Sequence, residues 1–300
     1  MRKYTAGVAI LVLSVAIFLY MNMRKEGGSK TDTTTQKHTQ VVTTLYPFEE
    51  VAKRIGGEYV NVSNIIPAGI EPHDYEPSPQ DRVAIQMADI FLYNGIESIE
   101  PWITRVAPSL TNTKINASES VALIGRDPHF WLDTSALAAV GEKMAAELTE
   151  KDPKHANDYQ KNLSDFVQQL KSMDAEYKTK LTTCGMRDVI VSHDAFRYLG
   201  ARYHFNTHAI AGLSPENEPE PGTISDIIRL VRDKKINYIL FETLASPKIA
   251  DTIAEETGAQ TLVLNPLEGL ARQDVENKEN LFTLMRKNLS VLATAMNCAS

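Results

Sequence analysis

The stretch VVTTLYPFEEVAKRIGGEYVNVSNII, residues 41–66, decides the fold. Val41, Val42, Thr43 and Thr44 are β-branched and stiff at χ1, which suits a pleated strand better than a helix. After Pro47 the period changes: Val51, Ala52 and Ile55 fall on one helical face, and Gly56 and Gly57 stop the run. VNVSNII (60–66) returns to strand. A strand, a helix and a strand in succession are the signature of a parallel sheet covered by helices.

The same alternation continues outward. Ser78 and Pro79 supply an N-cap and a first-turn proline for a helix carrying Val83, Ile85 and Met87, and DIFLYNG (89–95) is a short apolar strand. From residue 185 the theme repeats: RDVIVS, THAIAG, NYILFET and AQTLVLNP read as strands. Helices fall on DAFRYLGARY, ISDIIRLVRDKK and KIADTIAEETG, with a long C-terminal helix from about Val275. Between the two sets, Asp152 and Pro153 open a segment in which Leu163, Phe166, Leu170, Met173, Tyr177 and Leu181 recur every three or four residues. A helix over 153–181 is about 43 Å long, a stiff connector that permits only small closure. The expected fold is α/β: two Rossmann-like (β/α) lobes with parallel sheets, joined by a long rigid helix.

An N-terminal transmembrane or signal-anchor helix precedes them. Tyr4–Met23 carries no formal charge and is flanked by Arg2, Lys3, Arg24 and Lys25. A helix of that length spans roughly 30 Å, the thickness of a bilayer core. Its end, Phe18 to Met21, lacks the small-residue pattern of a cleavage site, so an uncleaved anchor is favoured. No cysteine follows the run, which excludes a lipidated N-terminal Cys; the balanced flanking charges leave orientation open. EGGSKTDTTTQKHTQ (26–40) reads as a flexible tether with His38 in solvent. The expected divisions are therefore 1–25 anchor, 26–40 tether, 41–150 first lobe, 151–182 linking helix and 183–300 second lobe.

An apolar fraction of 43% and a charged fraction of 23% are those of a globular protein. The net charge of −7, with no basic stripe, argues against a nucleic-acid partner. Cys184 and Cys298 stand 114 positions apart with no C-x-x-C spacing. They are either two free thiols or one disulfide pinning the C-terminus, and export favours the bridge.

Four chemistry-bearing residues fall where such sheets bind ligands, beyond the carboxyl ends of strands. His73 sits in PAGIEPHDYEPSP (67–79), whose four prolines forbid helix interior and central strand alike. His129 lies in RDPHFWLD, ahead of a helix N-capped near Asp133. His193 follows DVIVS directly, and Glu268 follows TLVLNP with one residue between. Alone, each histidine is an ordinary loop or core residue. Together, three imidazoles and a carboxylate are a four-coordinate set suited to Zn²⁺, since calcium and magnesium want more oxygens, although Cu or Ni binds such donors too.

The segments TTLYPF, IIPAGIEPHDYEPSPQD, DIFLYNG, DPHFWLD, VIVSHDAFRYLG, AIAGLSPENEPEPGTI and LNPLEGL also carry a resemblance. Over roughly 41–296 the chain resembles the zinc- and manganese-binding solute receptors of bacterial metal ABC importers. The resemblance implies one metal between two lobes, held by His73, His129 and His193. Where manganese-type relatives place glutamate, this chain has His193. Where many relatives supply an aspartate as fourth ligand, it has Asn265, so Glu268 completes the site as in the zinc-type subset. A histidine-rich acidic loop typical of zinc-type members is missing, because residues 74–128 contain no histidine. The implied function is capture of Zn²⁺ as transported ligand at the extracytoplasmic face of the membrane. A monomer then delivers it to an ABC transporter permease, with no nucleic acid and no catalysis; the alternative is a manganese receptor of the same family.

Other residues carry weaker expectations. Glu71 and Glu76 flank His73, Glu242 ends a strand as an outer acceptor or reserve ligand, His204 and His208 form a possible minor site, and Trp131 packs between lobes. A zinc hydrolase with Glu268 as base is a competing class, yet no H-E-x-x-H or nucleophile elbow is present. An adhesion role is a third.

Overall fold

The computed structural model describes residues 38–299. The anchor expected at 4–23 and nearly all of the tether lie outside the described residues, among which no helix is long and apolar enough to cross a membrane. Strand β1 (Thr39–Thr43) starts inside the stretch assigned to the tether, since Thr39 and Gln40 already pair with Val60 and Asn61. The tether boundary at 40 is therefore corrected, and His38 beside it is half-buried.

Strands β2 (Val60–Asn64), β3 (Ile90–Tyr93) and β4 (Thr113–Asn116) complete a parallel sheet of order β2-β1-β3-β4. A second parallel sheet, β5 (Asp188–Val191), β6 (Asn206–Ala209), β7 (Tyr238–Phe241) and β8 (Gln260–Val263), has the equivalent order β6-β5-β7-β8. Strand β4 escapes a reading by apolar runs because Ile115 is its only buried side chain.

Helices α1 (Tyr46–Gly56), α2 (Pro79–Met87), α3 (Ile103–Val106) and α4 (Thr134–Lys151) belong to the first half. Helix α1 buries Phe48, Val51, Ala52 and Ile55 on the face its spacing predicts. Ser78 and Asp81 form the capping box of α2. The connector, α5 (Ala156–Leu181), is 26 residues long, about 39 Å, and buries Phe166, Leu170, Met173, Tyr177 and Leu181. Beyond it lie α6 (Arg197–Tyr203), α7 (Thr223–Lys234), α8 (Lys248–Thr257), α9 (Arg272–Glu276) and α10 (Leu281–Ala295). The C-terminal helix thus begins later than Val275, which is exposed on α9: Lys278 takes a left-handed φ of 54°, and the Asn280 side chain caps the new start.

Helix α10 packs along α5, where the Tyr177 hydroxyl donates to the Met285 carbonyl at 2.6 Å. One continuous apolar cluster contains Val41 and Phe91 of the first sheet, Val189 and Val191 of the second, Leu292 of α10 and Met296, its C-cap. A separate cluster of Ile227, Val231, Ile239 and Ile253 seals the far side of the second sheet.

Cys184 and Cys298 form a disulfide that ties the end of α5 to the C-terminal turn. Closing a loop of this length removes chain entropy from the unfolded state, so the double variant Cys184→Ser/Cys298→Ser should lose about 2–5 kcal/mol of unfolding free energy. Urea titration of the two proteins measures the difference, and equal midpoints would show that the bridge is dispensable.

Candidate metal centre

Each donor is placed by its own local structure. His73 occupies a single 3₁₀ turn, Pro72–Asp74, in which the Glu71 carboxylate accepts the His73 backbone N–H at 3.2 Å. The Tyr75 hydroxyl lies between two acceptors, the Ile65 carbonyl (2.8 Å) and the Asp81 carboxylate (2.7 Å), which fastens this loop to the start of α2. His129 follows β4 at the entrance to the turn before α4. His193 ends the segment leaving β5, and Glu268 the segment leaving β8. All four residues are buried, and the His73 and Glu268 side chains are each only 1% exposed.

The three imidazoles face one point with the same nitrogen. His73 Nδ1 stands 2.8 Å from the Ser98 carbonyl, which can only accept, so Nδ1 carries the hydrogen and, in the neutral ring, Nε2 has the lone pair. Carboxylates do the same for the other two: Asp127 accepts from His129 Nδ1 at 2.6 Å, and Glu242 from His193 Nδ1 at 2.6 Å. The same Asp127 oxygen also takes the His129 backbone N–H, and the same Glu242 oxygen takes the Ser192 hydroxyl and the His193 N–H.

The inward atoms then lie at ligand spacing. His73 Nε2 to His129 Nε2 is 3.4 Å and His129 Nε2 to His193 Nε2 is 3.2 Å. Glu268 oxygens stand 3.2 Å from His129, 3.4 Å from His193 and 3.7 Å from His73. A tetrahedron with bonds of about 2.0 Å has edges of roughly 3.3 Å, close to these five separations, and all four atoms lie within 4.8 Å of one another, a set that could hold a zinc-sized ion. Neither Glu268 oxygen has a well-aligned hydrogen-bond donor, a costly state for a buried carboxylate unless a cation faces it.

Electrostatics points the same way. Burial works to raise the Glu268 carboxyl, but the imidazoles, His73 foremost, hold it well below the usual carboxylate range. Burial works to lower the His193 imidazole, but Glu242 and Glu268 outweigh it and push it up to about 10. His73 is likewise raised against the effect of burial, mainly by Glu268. Without metal, protons on the imidazoles balance the buried carboxylates.

Asn265, at the position where an aspartate ligand is absent, braces the turn that aims Glu268. Its side-chain oxygen accepts the Leu267 N–H at 2.8 Å, and Asn288 of α10 bonds both its N–H (2.9 Å) and its carbonyl (2.6 Å). Leu267 is thereby held at φ 64°, a conformation costly for a side chain with a Cβ. The Glu268 backbone is fixed from the first half, since its carbonyl accepts the Tyr46 N–H at 3.0 Å. Trp131 Nε1 donates to the Pro266 carbonyl at 2.8 Å, so the tryptophan does join the two halves.

Other candidates resolve differently. Glu242 is an orienting acceptor of His193. Glu71 is partly buried, and burial together with Glu268 pushes its carboxyl up to about 8. Glu76 is a surface acceptor for Arg82 and Arg105. His208 pairs with Asp188 at 2.8 Å and His204 ends α6 in a left-handed turn, so both have the structural roles common to strand-edge histidines, and no minor site assembles from them among the described residues. Sequence reasoning missed Asp127, although its D-x-H spacing to His129 was available. It also missed Ser98, which acts through a backbone carbonyl and therefore leaves no side-chain signal.

The family described as "ZnuA: Zinc-uptake complex component A periplasmic" matches residues 41–295. The chain belongs to this family. The chain is 32% identical over 278 residues to the "High-affinity zinc uptake system protein ZnuA" of Bacillus subtilis, covering 85% of this chain and 87% of that one. It is 33% identical over 274 residues to the "Zinc-binding lipoprotein AdcA" of Streptococcus pneumoniae, covering 84% of this chain but only 54% of that protein, about half its length. Among solved structures, the Zn(II)-bound ZnuA-like domain of Streptococcus pneumoniae AdcA superposes with a TM-score of 0.77 at 34% identity, over 87% of this chain and 100% of that chain.

Proposed function

We propose that this ZnuA-family chain is an extracytoplasmic receptor that captures one Zn²⁺ with His73, His129, His193 and Glu268 and delivers it to the membrane permease of an ABC importer. The observation that carries the reading is the meeting of four donor atoms within 4.8 Å of one another, each imidazole already satisfied on its outer nitrogen. Three imidazoles and one carboxylate favour zinc over manganese, which prefers oxygen donors. Glu268 faces the imidazoles directly, so the set closes around the ion rather than keeping a position for activated water, and the chain acts as a binding protein. The division into lobes at 41–150 and 183–300 around a linking helix at 151–182 belongs to this proposal, as does a monomeric state. The names of the relatives support a location outside the cytoplasm.

Elemental analysis and metal titration of the full chain test the reading. One zinc per chain is expected, bound more tightly than manganese. Glu268→Ala should weaken zinc by roughly 100-fold, because a four-donor site of about 10–16 kcal/mol assigns some 3 kcal/mol to each ligand. Equal affinity for manganese, or an unaffected Glu268→Ala protein, would overturn it.

A further inference from the structure

Glu100 is a buried acid for which the metal-binding reading has no use. The residue is 1% exposed, burial pushes its carboxyl up to about 7, and no cation pairs with it among the described residues. Its two oxygens instead accept backbone hydrogens, one from Asn94 and one from Gly95, each at 2.9 Å. Glu100 thereby closes the loop 94–100 that leaves the carboxyl end of β3.

That loop touches both histidine-bearing segments of the first half. Its Ser98 carbonyl accepts the Nδ1 hydrogen of His73 at 2.8 Å. Its Asn94 amide donates to the Pro128 carbonyl at 3.0 Å, one residue before His129. The backbone path is narrowly set: Gly95 has φ +92°, and a Cβ there would lie 1.8 Å from the Asn116 side chain. We infer that Glu100 is a positioning residue of the metal centre, clamping Asn94 and Gly95 so that the Ser98 carbonyl and the Asn94 amide hold His73 and His129 in register. The inference rests on the proposed metal-binding role. Its physical basis is the short reach of a hydrogen bond: a shift of about 1 Å in the Ser98 carbonyl takes it out of range and frees the His73 ring to turn.

Glu100→Gln keeps the shape but turns one acceptor oxygen into a donor facing a backbone N–H. Zinc affinity, measured on the full chain by chelator competition, should fall about 10- to 100-fold. The imidazole ¹⁵N resonances of His73 and His129 in the zinc-loaded protein should move while those of His193 stay. Asn94→Ala, which keeps the backbone clamp but cuts the tie to Pro128 and the Ile96 N–H bond inside the loop, carries the test if the glutamine variant does not fold, and should move His129 more than His73. Asp188→Asn serves as the control for general destabilisation, because Asp188 holds Lys234 and His208 at the opposite end of β5. Wild-type binding with both site variants within twofold of it, or with losses no larger than that of Asp188→Asn, overturns the role of Glu100 alone. A wild-type chain that binds no zinc overturns the receptor reading as well.

Discussion

Replacing His193 with alanine is expected to weaken zinc binding by roughly 100- to 1,000-fold, more than any change outside the ligand set. Three of the four donors share one frame: His73 and His129 stand on first-half loops, and the segment bearing Glu268 is bonded to that half through Tyr46, Trp131 and Gly69. Glu268, like His193, follows a strand of the second sheet, but His193 is braced from within that half by Glu242, so His193 closes the site. Its removal has a second cost. Glu242 and Glu268 are both buried, and the loss of the imidazole between them removes the cationic partner that they share, leaving Glu242 with only the Ser192 hydroxyl and the backbone N–H, which destabilises by about 3–5 kcal/mol in comparable cases. The zinc-free variant should therefore also melt at a lower temperature than the zinc-free parent. Chelator competition and thermal denaturation in EDTA read the two effects separately. An affinity within threefold of the parent would remove His193 from the ligand set.

Acidification gives the other large effect. Zinc takes only deprotonated imidazoles, and His193 is pushed up to about 10, so binding near pH 7.5 already displaces a proton. His73 is raised above its ordinary 6.5, so below that pH at least two protons compete with the metal. Affinity should then fall about tenfold per pH unit between 7.5 and 6.5, and about a hundredfold per unit below. The zinc-free protein runs the other way. The raised His193 contributes stability that is fully present below 6.5 and is lost as pH climbs toward 10; the depressed Glu268 contributes above 4.5 and is lost below it. Zinc should consequently raise the melting temperature more at pH 8 than at pH 6. Titrations showing the same affinity from pH 7.5 to 5 would be incompatible with three histidine ligands.

Most of this architecture was legible because parallel strands are buried on both faces and read as apolar runs. The segments around Phe91, Ile190 and Ile239 announce themselves in this way. Strand β4 does not, since one buried isoleucine among Thr, Lys and Asn carries no pattern. The C-terminal helix was placed too early because Val275 is apolar yet exposed, whereas the cap at Asn280 depends on a left-handed turn that residue type does not encode. The convergence of His73, His129, His193 and Glu268 was readable from chemistry combined with strand-end position. What holds them was less so: Asp127 acts at short range and could have been seen, whereas Ser98, Asn94 and Glu100 act through backbone groups that the fold alone brings to the histidines.

The continuous core has a consequence for any attempt at dissection. Chain order suggests two halves separated by a helix, but Val41, Val191 and Met296 sit in one apolar cluster and the Glu268 segment leans on the opposite half. A cut between them would expose oily surface on both fragments and divide the four residues of the site two and two, His73 and His129 from His193 and Glu268. The molecule is thus mechanically indivisible: neither piece is a miniature of the whole, and the ability to hold an ion arises together with the ability to fold.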